Sequence, residues 1–227
     1  MIGASGNRPW RPVHALIVVL CGVAAWELTA LLLGPVLTVS EIWRVLVPVQ
    51  AVAQVAAVAA LAALSLRRRV SLGLRFEPGD LVGIPIGIGL LLGISLVMTL
   101  VFRLFSDAEI PTQGAVDLAS RASGVDAVMV VIGVGLLGPI AEELVFRGVL
   151  LRALVVRRGP GFAVWVSAAV FAVMHLAFDA GAWFAVPALF VLGLVLGRQA
   201  ITTGRLARPI ITHAAFNLVS VASVLAS

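Results

Sequence analysis

Lysine is absent from this chain, cysteine occurs once, and only 12% of the 227 residues carry a charge. Each scarcity excludes something. A soluble domain of this size needs far more charge on its surface, so the chain is expected to live in a bilayer. The single cysteine, Cys21, rules out a disulfide framework and a multi-cysteine metal site, and its place in an apolar run suggests a small packed residue. No polar stretch is long enough to fold as a separate soluble domain. The net charge of +5 rests on arginine alone, and the arginines sit at the ends of apolar runs rather than in a stripe interleaved with aromatics. Nucleic acid is therefore not an expected partner.

What is there is apolar: 61% hydrophobic residues and a mean hydropathy of +1.13. Seven runs stand out, at about 13–34, 44–66, 81–102, 125–156, 161–178, 182–200 and 208–226. They predict an all-α, polytopic transmembrane helix bundle of about seven spans, within a range of six to eight. The fourth run is long enough for one tilted or kinked helix, or for two pieces hinged near Gly138-Pro139. The first run follows Arg8 and Arg11 but has no small-x-small cleavage site, so it reads as a retained helix. Arginine-rich segments (Arg67, Arg68, Arg69 and Arg75; Arg152, Arg157 and Arg158; Arg198, Arg205 and Arg208) alternate with arginine-poor ones. The longest arginine-poor loop, 103–124, carries Asp107, Glu109 and Asp117 against Arg103 and Arg121. That alternation predicts a cytoplasmic amino terminus. Gly89 with Gly93, and Gly193 with Gly197, have the spacing that lets helices approach closely in lipid. There is no internal repeat of the kind many transporters show.

Polar groups inside the runs carry the functional signal, because each needs a partner or a purpose in lipid. "GPIAEELVFRGVL", Gly138 to Leu150, holds Glu142, Glu143 and Arg147. Glu143 and Arg147 lie four apart and can pair across one turn, whereas Glu142 is turned about 100° away and must look to another helix. The fifth run contains "FAVMHLAF", with Phe171 and His175 on one face; the seventh contains "ITHAAFNL", with His213 and Asn217 on one face. Glu27, in the first run, is a further acid expected to be buried and structurally paired, and His14 is expected at the membrane edge.

Two chemistries fit these residues. A desolvated carboxylate can act as general base on water, with a histidine beside it and a histidine–asparagine pair donating to a developing oxyanion. Two histidines and a glutamate also match the ligand set of a catalytic zinc. Both lead to amide hydrolysis in or at the membrane. Rival protease patterns are missing: there is no His-Glu-x-x-His and no intramembrane Gly-x-Gly-Asp, and the rhomboid-like "GASG" at Gly3 to Gly6 lies in a polar tail.

Glu142-Glu143-x-x-x-Arg147, Phe171-x-x-x-His175 and His213-x-x-x-Asn217, in that order on successive helices, resemble the motifs of the CPBP intramembrane proteases. That family is also called the CAAX protease and bacteriocin-processing, or Abi, family, and it includes the type II CAAX prenyl endopeptidases. "FVLGLVLG", Phe190 to Gly197, is similar to the family's glycine-bearing helix. The resemblance divides the chain into 1–124, amino-terminal helices that are not diagnostic, and 125–227, a catalytic bundle. It implies that Glu142 activates water with His175 sharing it, that His213 and Asn217 stabilise the tetrahedral intermediate, and that Glu143 and Arg147 support Glu142. It leaves the cofactor open between a divalent metal such as zinc, with Glu142, His175 and His213 as candidate ligands, and none. The implied partners are a peptide or membrane-protein substrate and the lipid bilayer; the all-arginine, alanine- and valine-rich usage points to a GC-rich bacterium, so the expected location is a bacterial plasma membrane. The alternatives are a non-catalytic scaffold or bacteriocin-immunity protein of the same fold, and a proton-coupled carrier using Glu142 and Glu27.

Overall fold

The computed structural model describes residues 10–37, 39–64, 72–105, 120, 122, 124–178 and 180–226. Arg8, Arg67, Arg68, Arg69, Asp107, Glu109, Asp117 and Arg121, used above in reading the charge alternation, lie outside the described residues.

The seven apolar runs become seven helices: α1 (Pro12–Leu33), α2 (Val39–Leu64), α3 (Gly83–Phe105), α4 (Val125–Arg158), α5 (Pro160–Phe178), α6 (Val186–Thr203) and α7 (Ala207–Leu225). A 3₁₀ turn, Pro78–Val82, leads into α3, and another, Ala180–Ala185, leads into α6. Six of these are long and apolar enough to cross a membrane; α5 falls short, with an apolar stretch of Pro160–Leu176. The protein is an all-α polytopic bundle and an integral membrane protein. Its surface is greasy where a soluble protein's would be charged: Leu31, Leu92, Leu96 and Leu104 are all more than 60% exposed.

Helix α4 is the centre. It touches α1, α2, α5, α6 and α7, while α1 packs chiefly on α2, α5 on α6, and α3 on α7. It is continuous through Gly138-Pro139, so the hinge expected there takes another form. Two π-helical stretches, Gly133–Leu137 and Leu144–Leu151, bracket the α-helical turn Gly138–Glu143. Such wide turns often mark functional stretches of a helix. The first has a definite origin. Gly138 N–H donates to the Gly133 carbonyl, five residues back, and the next bond in that register would need an N–H from Pro139, which has none. The Val134 carbonyl is thereby left for another donor.

Lipid supplies no hydrophobic drive between helices, so close approach of small residues does the packing. Gly193 and Gly197 of α6 meet α5 as expected: a Cβ on Gly193 would stand 3.0 Å from Ala168, and one on Gly197 3.3 Å from Val164. Gly89 and Gly93 do not behave that way, since nothing lies within 4 Å of a Cβ built on either. The close approach of α3 is made instead by Gly83 and Gly87, against Thr212 and Ala215 of α7. Gly87→Ala would press on the Thr212 carbonyl and should cost about 1–3 kcal/mol, read as a lower unfolding temperature in detergent. Gly89→Ala should leave that temperature unchanged.

Two other expectations are corrected. Cys21 is exposed rather than packed, and Glu27 is exposed rather than buried, because α1 turns Ala15, Val18 and Gly22 inward and its opposite face outward. The α1 run is apolar on every side, so no periodicity in it marks which face is buried.

Candidate active site

The stretch Glu143–Ala153 of α4 is buried without interruption. Within it, Glu143 and Arg147 are both wholly enclosed, and Arg147 Nη1 donates to Glu143 Oε1 at 2.7 Å. The pairing is the one the four-residue spacing allows, but the surroundings add more. Arg147 Nη2 donates to the Gly193 carbonyl of α6 at 3.0 Å, and the guanidinium carbon stands 4.7 Å over the Phe171 ring of α5. One arginine thus ties together α4, α5 and α6. Gly193 serves twice, as a contact surface and as an acceptor.

Glu143 is not reserved for Arg147. Its Oε1 also takes His213 Nδ1 of α7 at 3.1 Å. A carboxylate only accepts, so Nδ1 carries the proton and His213 Nε2 is turned to the other side. There it faces Glu142 Oε2 at 3.7 Å, beyond hydrogen-bond reach, and Glu142 Oε2 has no hydrogen-bond partner in the structure. Glu142 is the one glutamate of the pair with exposure, about 30% of its side chain. His213 therefore lies between a buried carboxylate engaged through one oxygen and a partly exposed one that it does not reach. The spacing argument assigns Glu142 to a neighbouring helix and Glu143 to its own; the structure gives His213 to Glu143 and sets it 3.7 Å from Glu142.

His175 of α5 is half-buried, and its Nδ1 lies 2.8 Å from the Phe171 carbonyl. A carbonyl only accepts, so here too Nδ1 carries the proton and Nε2 keeps its lone pair. No hydrogen bond or ion pair joins His175 to Glu142 or His213. Phe171 joins them instead: its ring makes edge contacts with His175 at 4.9 Å and with His213 at 5.6 Å. Its ring also makes an edge contact with Phe146.

Asn217 is one turn beyond His213, but its amide donates to the Val134 carbonyl at 2.9 Å. That is the carbonyl orphaned by the π register and Pro139. Half of the donor capacity expected of Asn217 for an oxyanion is spent on holding α7 to α4. Ser167 of α5 does a similar task, donating to the Phe146 carbonyl in the second π stretch at 3.1 Å.

The helix carrying His213 and Asn217 is anchored at its start by charges. Asp80, fully buried at the head of α3, accepts from Arg205 Nε at 3.1 Å and Nη2 at 3.0 Å, and Arg208 Nε stands 3.4 Å away. Arg205 also pairs with Glu77 at 3.0 Å, and Arg208 Nη2 donates to the Gly79 carbonyl. The hydrogen bonds that Arg205 donates to Asp80 hold its guanidinium above its ordinary range. Arg205 and Arg208 enter the sequence argument only as topology signals; Asp80, Ser167 and the roles of Phe171 and Gly193 are not visible there. Asp80→Ala should lower stability by about 1–3 kcal/mol through the lost charged hydrogen bonds, measurable by denaturant unfolding in detergent micelles.

As a metal site the cluster does not fit. No three of the described histidine, cysteine, aspartate and glutamate side chains are placed to hold an ion together. His213 Nε2 and Glu142 Oε2 stand 3.7 Å apart, and no third described side chain joins them in a ligand set.

With the geometry in place, comparison with known proteins adds one finding. Residues 124–219 match the family model described as Rce1-like, type II CAAX prenyl endopeptidase. The matched segment runs from the turn before α4 into α7, and so contains every motif residue of the cluster. The resemblance to CPBP-type proteases read from the motifs is borne out over that segment. No curated protein and no solved structure matches the chain. The similarity to these endopeptidases is confined to that motif-bearing segment of an apolar, membrane-spanning bundle.

Proposed function

We propose that the chain is an intramembrane endopeptidase that hydrolyses a peptide bond of a membrane-associated protein or peptide using water activated by Glu142. The observation that carries this reading is the asymmetry of the two adjacent glutamates. Glu143 is wholly buried and its Oε1 takes both Arg147 and His213, while the Glu142 side chain is about 30% exposed and its unpartnered Oε2 stands 3.7 Å from His213 Nε2. A carboxylate free to accept a proton beside an imidazole free to share it is the arrangement general base catalysis needs.

In this reading Glu142 takes the proton of the attacking water as its oxygen adds to the scissile carbonyl. His175, with its Nε2 lone pair free, serves as a second acceptor for that water. The proton taken by Glu142 is shared with His213 Nε2, so that an N–H faces the developing oxyanion, assisted by the second N–H of Asn217. The proton held by Glu142 then passes to the leaving amine. Glu143 and Arg147 position His213 and touch no reacting atom.

The alternation of arginine-rich segments supports a cytoplasmic amino terminus, and the all-arginine, alanine- and valine-rich usage supports a bacterial plasma membrane. The division into amino-terminal helices, 1–124, and a catalytic bundle, 125–227, follows the motif positions.

The test is purified protein in phosphatidylcholine vesicles with a library of membrane-anchored peptides, read by mass spectrometry. Cleavage should occur, and His175→Ala should abolish it with the unfolding temperature unchanged. A folded wild-type protein that cleaves nothing would favour a non-catalytic scaffold; a His175→Ala variant that keeps wild-type rate would remove His175 from the mechanism.

A further inference from the structure

Glu27 is the one acid of α1, and the structure points it away from the bundle. The inward face of α1 is fixed by Ala15, Val18 and Gly22; a Cβ on Gly22 would stand 2.7 Å from the Gln54 side chain of α2, so the helix cannot simply rotate to bury Glu27. On the outward face Val13, Ile17, Leu20, Ala24, Glu27 and Leu31 follow one another at alternating spacings of four and three, all exposed. That is the seam spacing of a helix that packs along another helix. Glu27 lies six residues before the end of α1 at Leu33 and fifteen after its start at Pro12, so it sits about 9 Å inside one end of the span and about 22 Å from the other. No described residue forms a hydrogen bond or ion pair with it.

An ionisable group inside a span normally faces the bundle interior or a partner. Here neither is supplied by the described residues, and the seam is otherwise apolar. We propose that the outward face of α1 is a docking surface for a membrane helix of another protein that carries an arginine or lysine at the depth of Glu27. The argument is charge complementarity: a lone carboxylate in an apolar seam is satisfied by a cation on the facing helix, and the apolar positions either side supply the packing. A second copy of α1 would bring two like charges together and provides no cation. The surface is on the opposite side of α1 from the contacts with α2 and α4, so it does not depend on the proposed chemistry at Glu142.

The experiment uses full-length protein in phosphatidylcholine vesicles and two synthetic leucine-rich spanning peptides, each with a dansyl acceptor. One carries a single arginine placed to match Glu27; the other has leucine there. Energy transfer from the protein's tryptophans, Trp26 among them, reports association. The wild type should bind the arginine peptide roughly tenfold more tightly than the leucine peptide, and Glu27→Gln should erase the difference while melting at the wild-type temperature. Equal binding of both peptides by the wild type would overturn the proposal, as would a preference that persists in Glu27→Gln. Glu27-dependent self-association in vesicles without peptide would overturn it in favour of a second copy.

Discussion

Glu142→Gln is expected to lower kcat by about 10²- to 10⁴-fold, the usual worth of a positioned general base, with little change in KM or unfolding temperature. Glutamine keeps the shape of the side chain and removes only its ability to take a proton. Nothing structural depends on that ability: Glu142 Oε2 has no hydrogen-bond partner, and His213 Nε2 stands 3.7 Å away. Adjacent Glu143 is the control. Its Oε1 holds both Arg147 and His213, so Glu143→Gln should lower stability and activity together. Paired kinetics and thermal unfolding of the two variants separate the roles. If both variants lost stability equally, the division of labour between the glutamates would be wrong.

Arg147→Met is expected to be the most damaging single change to the fold, at about 3–5 kcal/mol, because it leaves a buried carboxylate without its cation. The loss has three parts that can be named. Glu143 Oε1 loses its 2.7 Å donor, the Gly193 carbonyl loses its 3.0 Å donor, and Phe171 loses the guanidinium over its ring. Replacing both members, Glu143→Leu with Arg147→Met, should recover much of the stability, since two apolar side chains can fill the space without an orphaned charge. Activity should not return, because His213 would lose the carboxylate that fixes its Nδ1 proton. Denaturant unfolding of the single and double variants, with a cleavage assay on each, measures both halves.

Much of the bundle is legible in the sequence because lipid imposes a simple rule: long apolar runs become helices. The seven runs correspond to α1–α7 within a few residues, and the four-residue spacing of Glu143 and Arg147 is enough to pair them. What escapes the sequence depends on rotation, tilt and register. The first helix is apolar all round, so nothing in its pattern says that Glu27 and Cys21 face outward. Gly83 and Gly87 have the same spacing as Gly89 and Gly93, and only the facing surface of α7 distinguishes them. His213 reaches Glu143 although it lies near the start of its helix and Glu143 lies deep in α4, a meeting that no spacing within either helix predicts. The anchoring of α7 by Asp80 joins residues 125 positions apart. The Val134 acceptor for Asn217 does not exist in a regular α-helix; the π register and Pro139 create it.

Chemical rescue is the most direct test of the central claim, that Glu142 is the base and Glu143 its structural neighbour. Glu142→Ala removes the carboxylate from a partly accessible position, where a small anion can take its place. The account predicts that sodium formate, and not sodium chloride at equal ionic strength, restores peptide cleavage to the Glu142→Ala protein in proportion to formate concentration, and restores nothing to Glu143→Ala. Cleavage by Glu142→Ala at the wild-type rate without formate, or rescue of Glu143→Ala in place of Glu142→Ala, would contradict it.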